Sequence, residues 1–321
     1  MGKRKILITG GLGYVGGRVA KYLASESDLA LQITSRSTKL EKPNWLADGE
    51  ILHWEIFDDN NAICEGIDTV VHFAAVNEII SAQDPTTAMK VNGIGTLRLL
   101  QLAQAAGVRR FIYFSTAHVY GAPLIGDISE QTVPRPIHPY AITHKVAEDF
   151  VLAARDQGKI EGVVLRLSNG FGAPISSDVN RWSLLINDLC LQAVTTGKLV
   201  LRSNGLQLRD FITLQDVGRC VKHFINLPKI LCDDGLFNLG GDCVLSIYKI
   251  TQLVALRCSI ILDFNPPIER IDSKPGDQIF KLDYSIAKLK LTGFSLESRI
   301  EDEIDATLLL CNNAFRKKSS Y

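Results

Sequence analysis

Neither sign of charge is in excess in this 321-residue chain: 35 Lys and Arg face 35 Asp and Glu, a formal net charge of +0 at pH 7. That argues against a general polyanion-binding surface, so neither nucleic acid nor an anionic membrane is expected as a partner, and any polyanion site must be a local pocket. The 7 cysteines are odd in number and include no CxxC pair, which speaks for reduced thiols rather than a disulfide framework. Cysteine–histidine spacings of the zinc kind are missing as well, and no metal is expected. The N-terminus, Met1-Gly2-Lys3-Arg4-Lys5, is basic, but the apolar run behind it stops at Thr9, too short for a signal peptide or a membrane span. The only notable charge run, Arg316-Lys317-Lys318, reads as a solvated tail. There is no internal repeat and no low-complexity tract. The expectation is a soluble, cytoplasmic protein whose 46% hydrophobic content can build a substantial core.

What the chain does contain begins at Ile6, where residues 6–16 read ILITGGLGYVG. A short apolar run, a glycine-rich turn and an amphipathic stretch opening at Tyr14 put Gly10, Gly13 and Gly16 where a parallel strand hands over to a helix. Gly10 allows the tight turn, Gly13 lets backbone approach a pyrophosphate, and Gly16 lets helix and strand pack closely. The helix end adds free N–H groups and a partial positive charge. Further apolar runs at Leu29–Thr34, Thr69–Phe73, Arg110–Ser115 and Val163–Leu167 alternate with helical patterns such as Thr86–Ala106. Such alternation with continuously apolar strands predicts a parallel sheet covered on both faces. After Asn169 the pattern loosens. Residues 1–168 are expected to form a dinucleotide-binding domain and 169–321 a smaller, mainly substrate-binding α/β domain, part of 205–240 being a candidate to return to the first.

Nearly the whole chain resembles the extended short-chain dehydrogenase/reductase family, the nucleotide-sugar epimerases and dehydratases. The resemblance is carried in order by TGGLGYVG at 9–16, VVHFAA at 70–75, VNGIGT at 91–96, FSTAHVYG at 114–121, PYAITHK at 139–145, LRLSNGFG at 165–172 and LRDFITLQDV at 208–217. PGD at 275–277, with Asp283 and Lys288, is similar to a C-terminal signature. It implies a Rossmann-type doubly wound parallel sheet. It also implies a cofactor site at the glycine turn with Tyr14 and Val15, at Phe73, Ala74 and Ala75, and at Asn92, which steadies the sheet. Glu55 and Ile56 match the pair that brackets the adenine. Thr116 and Tyr140 are implied as catalytic, and Asn169 and the diphosphate-gripping Arg209 as substrate contacts; His118 reads either as a further substrate contact or as a structural histidine near the sheet end. For Arg209 the competing reading is a structural salt bridge to Asp210 or Asp216. A homodimer built from the Thr86–Ala106 and Tyr140–Arg155 helices is also implied.

The chemistry of sugar oxidation or reduction needs an acid/base at the hydroxyl while hydride passes to or from a nicotinamide. A tyrosine of ordinary pKa, about 10, is a poor base near neutrality unless a cation favours its phenolate. The family places a lysine on the same helical face, one turn on; here position 144 is His, and Lys145 falls well off that face at about 100° of rotation per residue. His144 is therefore expected beside Tyr140 and against the nicotinamide ribose, either as an imidazolium aiding the phenolate or as a solvent-facing residue in a protein without turnover. At the end of the second strand, Thr34-Ser35-Arg36-Ser37 has no carboxylate for a ribose 2′-hydroxyl, whereas an arginine flanked by hydroxyls suits a 2′-phosphate. NADP is expected over NAD. Ala117 and His118 stand where the 4,6-dehydratases carry Asp and Glu, which argues against elimination of water. The function expected is keto-sugar reduction or hydroxyl epimerisation on a nucleotide-activated sugar. Its rival is a dinucleotide-binding sensor or scaffold.

Overall fold

A computed structural model describes residues 2–38, 41–58, 60–274 and 276–316. Pro275 of the PGD segment and Lys317-Lys318 of the basic run lie outside the described residues. Seven strands, β1 (Arg4–Thr9), β2 (Leu29–Ser35), β3 (Glu50–His53), β4 (Thr69–His72), β5 (Arg110–Thr116), β6 (Glu161–Leu167) and β7 (Leu236–Leu239), form one sheet in the order β7-β6-β5-β4-β1-β2-β3. Every pairing in it is parallel. The helices are α1 (Tyr14–Leu23), α2 (Glu78–Gln83), α3 (Thr96–Ala105), α4 (Pro139–Asp156), α5 (Leu185–Thr196), α6 (Leu214–Asn226), α7 (Ile247–Ile261) and α8 (Ile300–Phe315), with short helices at Pro85–Ala88 and Ala287–Leu291.

The continuous apolar strands are explained by burial on both faces. Ile6 and Ile8 of β1, with Ile112 and Phe114 of β5, join the core under α1 and α6, while Leu7, Phe111 and Tyr113 join the core under α3 and α4. All seven residues of β5 are buried. The doubly wound parallel sheet is thus present. Because β2 and β4 flank β1 on opposite sides, the chain reverses its winding there and opens a crevice at the carboxyl ends of β1 and β4.

The expected Thr86–Ala106 helix is interrupted: Met89–Gly95 forms a π-helical stretch before α3 begins. The chain packs closely at its glycines there: a Cβ on Gly95 would sit 2.7 Å from Ile56 Cγ1 and one on Gly93 2.9 Å from Met89 Sδ. In the region after Asn169, where the sequence pattern loosens, a helix runs from Leu185 to Thr196. Beyond β6, α5, α7 and α8 enclose a third core around Leu189, Ile250, Val254, Ile304 and Leu308. Beside it lies a small sheet in which Leu208–Thr213 pairs with Asn169–Phe171 and Val244–Ser246. Arg18 of α1 reaches Glu303 of α8 at 2.5 Å, and the Tyr14 hydroxyl donates to the Gly172 carbonyl at 2.9 Å. These contacts tie the large sheet to the C-terminal part. No helix among the described residues is long and apolar enough to cross a membrane.

Candidate active site

The glycine turn after β1 closes through the Gly13 N–H, which donates to the Gly10 carbonyl at 2.9 Å. Gly10 has φ +68°, a left-handed conformation that disfavours any side chain, and a Cβ on Gly16 would lie 2.4 Å from the Gly10 oxygen. The turn therefore delivers the N-terminus of α1 to the edge of a cavity of about 640 Å³ in the switch-point crevice. Gly10, Gly13, Tyr14, Val15, Gly16, Ser35, Arg36, Glu55, Ile56, Phe73, Ala74, Ala75, Tyr140 and His144 all line it. Asn92 does not. Its Oδ1 instead accepts the Val76 N–H at 2.8 Å and its Nδ2 donates to Thr143 Oγ1 at 3.1 Å, stitching the loop after β4 to α4. Asn92 shapes the cavity wall from behind. The Tyr14 phenol is likewise committed, to Gly172 and to Asn187 at 3.2 Å.

A second cavity of about 310 Å³ lies on the C-terminal side and is lined by Thr116, His118, Asn169 and Arg209. Tyr140, Tyr14, Val15, Glu78, Ser115, Leu167 and Arg181 line both cavities. Tyr140 stands in the first turn of α4, where Pro139 opens the helix and His138 Nδ1 accepts the Tyr140 N–H at 3.2 Å. Thr116 ends β5; its Oγ1 accepts the His118 N–H at 3.2 Å, leaving the hydroxyl proton to donate into the cavity. Arg209 makes no ion pair among the described residues. The competing salt bridge is not formed because Asp210 turns inward to Ser168 and to the N–H groups of Gly241 and Cys243, while Asp216 pairs with Arg219 at 2.9 Å. Asn169 spends one amide N–H on the Asp210 carbonyl at 2.8 Å.

His144 sits beside Tyr140, ring centroids 4.4 Å apart, and Lys145 points away to pair with Asp149. Two expectations about His144 fail. It is not solvent-facing, being 3% exposed, and it is not an imidazolium near neutrality. Burial lowers its pKa from 6.5 to about 4, the nearby Phe114 carbonyl opposing only in part. Tyr140 is pushed up to about 12 by burial and further by the Glu78 carboxylate, with Arg181 acting the other way. Glu78 of α2 and Arg181, in the segment before α5, pair at 3.0 Å across the two cavities. Sequence reasoning missed both, and also Tyr113, whose hydroxyl meets His144 Nδ1 at 2.6 Å inside the core. Glu78 alone carried a signal, as an acid four residues past the VVHFAA strand's Ala74.

The model of the NAD dependent epimerase/dehydratase family matches residues 6–240. Over 186 residues the chain is 33% identical to a UDP-glucose 4-epimerase of Rhizobium leguminosarum bv. trifolii, a match spanning 57% of this chain and 57% of that enzyme. The structure of a UDP-N-acetylglucosamine 4-epimerase from Methanobrevibacter ruminantium M1, in complex with UDP-N-acetylmuramic acid, superposes with a TM-score of 0.82 at 21% identity, covering 97% of this chain and 98% of that one. A UDP-glucuronic acid 4-epimerase from Bacillus cereus, in complex with UDP-glucuronic acid and NAD, does so with a TM-score of 0.78 at 22% identity, covering 96% and 99%. At such identities these two likenesses speak for the fold.

Proposed function

The chain belongs to the NAD dependent epimerase/dehydratase family, and from that premise we propose that it is an NADP-linked enzyme that reduces a keto group or epimerises a hydroxyl carbon on a nucleotide-activated sugar. The observation that carries the reading is the shared wall: Tyr140 faces the cavity at the glycine turn and the one that holds Arg209. The first cavity fits a nicotinamide dinucleotide, for its turn tolerates no Cβ at Gly10 or Gly16, and His144, which lines it, has a buried Nε2 without a hydrogen-bond partner. Such a cofactor, when bound, supplies hydride exchange at the sugar carbon. Tyr140 holds or delivers the proton on the sugar oxygen, Thr116 donates a hydrogen bond to that oxygen, and Arg209 offers an uncompensated cation to the diphosphate. Asn169 and His118 line the sugar end. Nucleotide-sugar binding by the two structural neighbours supports this choice of substrate class.

Arg36 at the adenosine end makes no ion pair among the described residues and favours NADP, with NAD as the other outcome. A homodimer is supported by Ile94, Ile142 and Phe150, 50%, 40% and 37% exposed on the π-helical stretch and α4. One observation favours the non-catalytic alternative: no cation on α4 faces Tyr140, since His144 is neutral and Lys145 turns away.

The test is thermal protection. UDP and UDP-sugars should raise the melting temperature of the wild type, and Arg209→Ala should abolish that rise while NADP(H) protection persists. A UDP shift that survives in Arg209→Ala overturns the diphosphate assignment. Hydride exchange with a panel of nucleotide sugars, absent although both ligands bind, favours the sensor reading.

A further inference from the structure

Where the tyrosine's helix would carry a cation, this chain buries a neutral ring, and that ring is not free to choose its tautomer. His144 Nδ1 lies 2.6 Å from the Tyr113 hydroxyl, both side chains being within the core between β5 and α4. Its other nitrogen, Nε2, is buried and has no hydrogen-bond partner, and the ring lines the larger cavity beside Tyr140. An orphaned polar atom in the core is costly unless something completes it. Which atom carries the proton follows from its neighbours.

Thr96 donates its hydroxyl proton to the Asn92 carbonyl at 2.6 Å, so it accepts from His72 Nε2 at 2.9 Å. A neutral His72 then has a bare Nδ1, which accepts from Thr9 at 2.5 Å. The Tyr113 hydroxyl also faces Thr96, whose oxygen already accepts one hydrogen bond. The Thr96 oxygen keeps a second lone pair, but the imidazole nitrogen of His144 at 2.6 Å is the stronger base and takes the one phenolic proton, while the Phe114 carbonyl near the ring is only an acceptor and supplies it none. A neutral imidazole that accepts at Nδ1 carries its proton at Nε2.

We propose that Tyr113 is a positioning residue that locks His144 in the Nε2–H tautomer, so that this uncharged ring presents a single N–H donor to a hydroxyl of the bound dinucleotide. The role of the cavity as a dinucleotide site rests on the reading above; the tautomer does not. Tyr113 lines neither cavity and acts only through the ring. The donor replaces the hydrogen bond of a lysine ammonium without its charge, which suits a ring as buried as this one.

The experiment is nitrogen NMR on protein labelled with 15N-histidine, the His144 signals assigned by their loss in His144→Gln. In the ligand-free wild type at pH 7.5 the expected pattern is Nδ1 unprotonated and Nε2 protonated. An Nδ1–H pattern, or an imidazolium, overturns the proposal whatever the cavity binds and whether or not any variant folds. In Tyr113→Phe, which keeps the ring's packing, the pattern should give way to a mixture of tautomers. An unchanged pattern overturns the lock. Calorimetric titration with NADP(H) and NAD(H) then reads the consequence: Tyr113→Phe should weaken the better-bound of the two roughly three- to tenfold, and should have no further effect in a His144→Gln background. A loss that adds in full to that of His144→Gln, or a lowered melting temperature with unchanged affinity, assigns Tyr113 a structural role only. The expected tautomer in a protein that binds neither dinucleotide would instead overturn the cofactor reading and leave the lock standing.

Discussion

Mild acid should destabilise this protein through two buried imidazoles, in a range above that of its ion-paired carboxylates. His72 and His144 are each almost wholly buried, and burial lowers their pKa values from 6.5 to about 3 and about 4. Both are depressed, so below pH 6.5 the unfolded chain binds protons that the folded chain does not. The stability they contribute is full above pH 6.5 and is lost as pH falls from there towards about 4. Each imidazole adds a slope of about 1.4 kcal/mol per pH unit, and the pair nearly 3. Between pH 6.5 and 4.5 the loss approaches 5 kcal/mol, a large part of the roughly 5–15 kcal/mol that holds a typical protein folded. The carboxylates whose pKa values are lowered, among them Asp28, Asp68 and Asp233, give up their contribution only at more acid pH, while Asp210, raised by burial, titrates alike in wild type and His144→Gln and drops out of their difference. His118 and His223 are lowered as well and add to the slope in every variant alike. Urea denaturation from pH 8 to 4.5 measures the effect, and His144→Gln should remove about 1.4 kcal/mol per pH unit of it. A wild-type stability that stays flat across this range, or a slope untouched by His144→Gln, refutes the neutral buried imidazoles.

Arg36→Ala should cost NADP(H) binding roughly tenfold or more while leaving NAD(H) binding as it was, by calorimetric titration; a wild type that prefers NAD overturns the assignment. Gly16→Ala sets a methyl 2.4 Å from the Gly10 oxygen and 3.2 Å from the Phe73 ring, so dinucleotide affinity should fall at least about tenfold with a lower melting temperature. Unchanged affinity would show that the turn does not need its close approach. Glu148→Ala strands Arg166, whose guanidinium is buried against it at 2.7 Å, and should cost about 3–5 kcal/mol in chemical denaturation. A loss below about 1 kcal/mol would mean that Arg166 finds another partner or water.

The central strands are legible in the sequence because their two-sided burial makes them continuously apolar, as 110–116 is. The edge strand Glu50–His53 is not: only four residues long, it carries a charged residue at one end and leaves none of its side chains fully buried. The strand Leu236–Leu239 closes the other edge from far along the chain, and its short run carries no local sign of that partner. At the site, spacing alone puts His144 on the Tyr140 face and Lys145 off it, since four residues make about one helical turn. What spacing does not carry is the protonation of His144. That depends on burial and on Tyr113, which lies 31 residues away and reads as one more strand residue. The isolation of Arg209 is equally non-local, for it rests on Asp210 being satisfied by Ser168, Gly241 and Cys243.

The charges that bear on Tyr140 come from outside its own helix. Glu78 lies on the sheet side of the cleft and Arg181 on the C-terminal side, 103 positions apart in sequence, and their ion pair at 3.0 Å sits in the wall common to both cavities. Burial is the main reason the phenol stays protonated; Glu78 adds to it and Arg181 opposes it. Around a buried, uncharged His144 these two groups are the charges that bear on the phenol, and they act on it in opposite directions. The ionisation of Tyr140 is thereby coupled to how the two halves of the molecule pack. The contacts that fix that packing, Arg18 with Glu303 and Tyr14 with Gly172 and Asn187, spring from the same helix whose N-terminus borders the larger cavity.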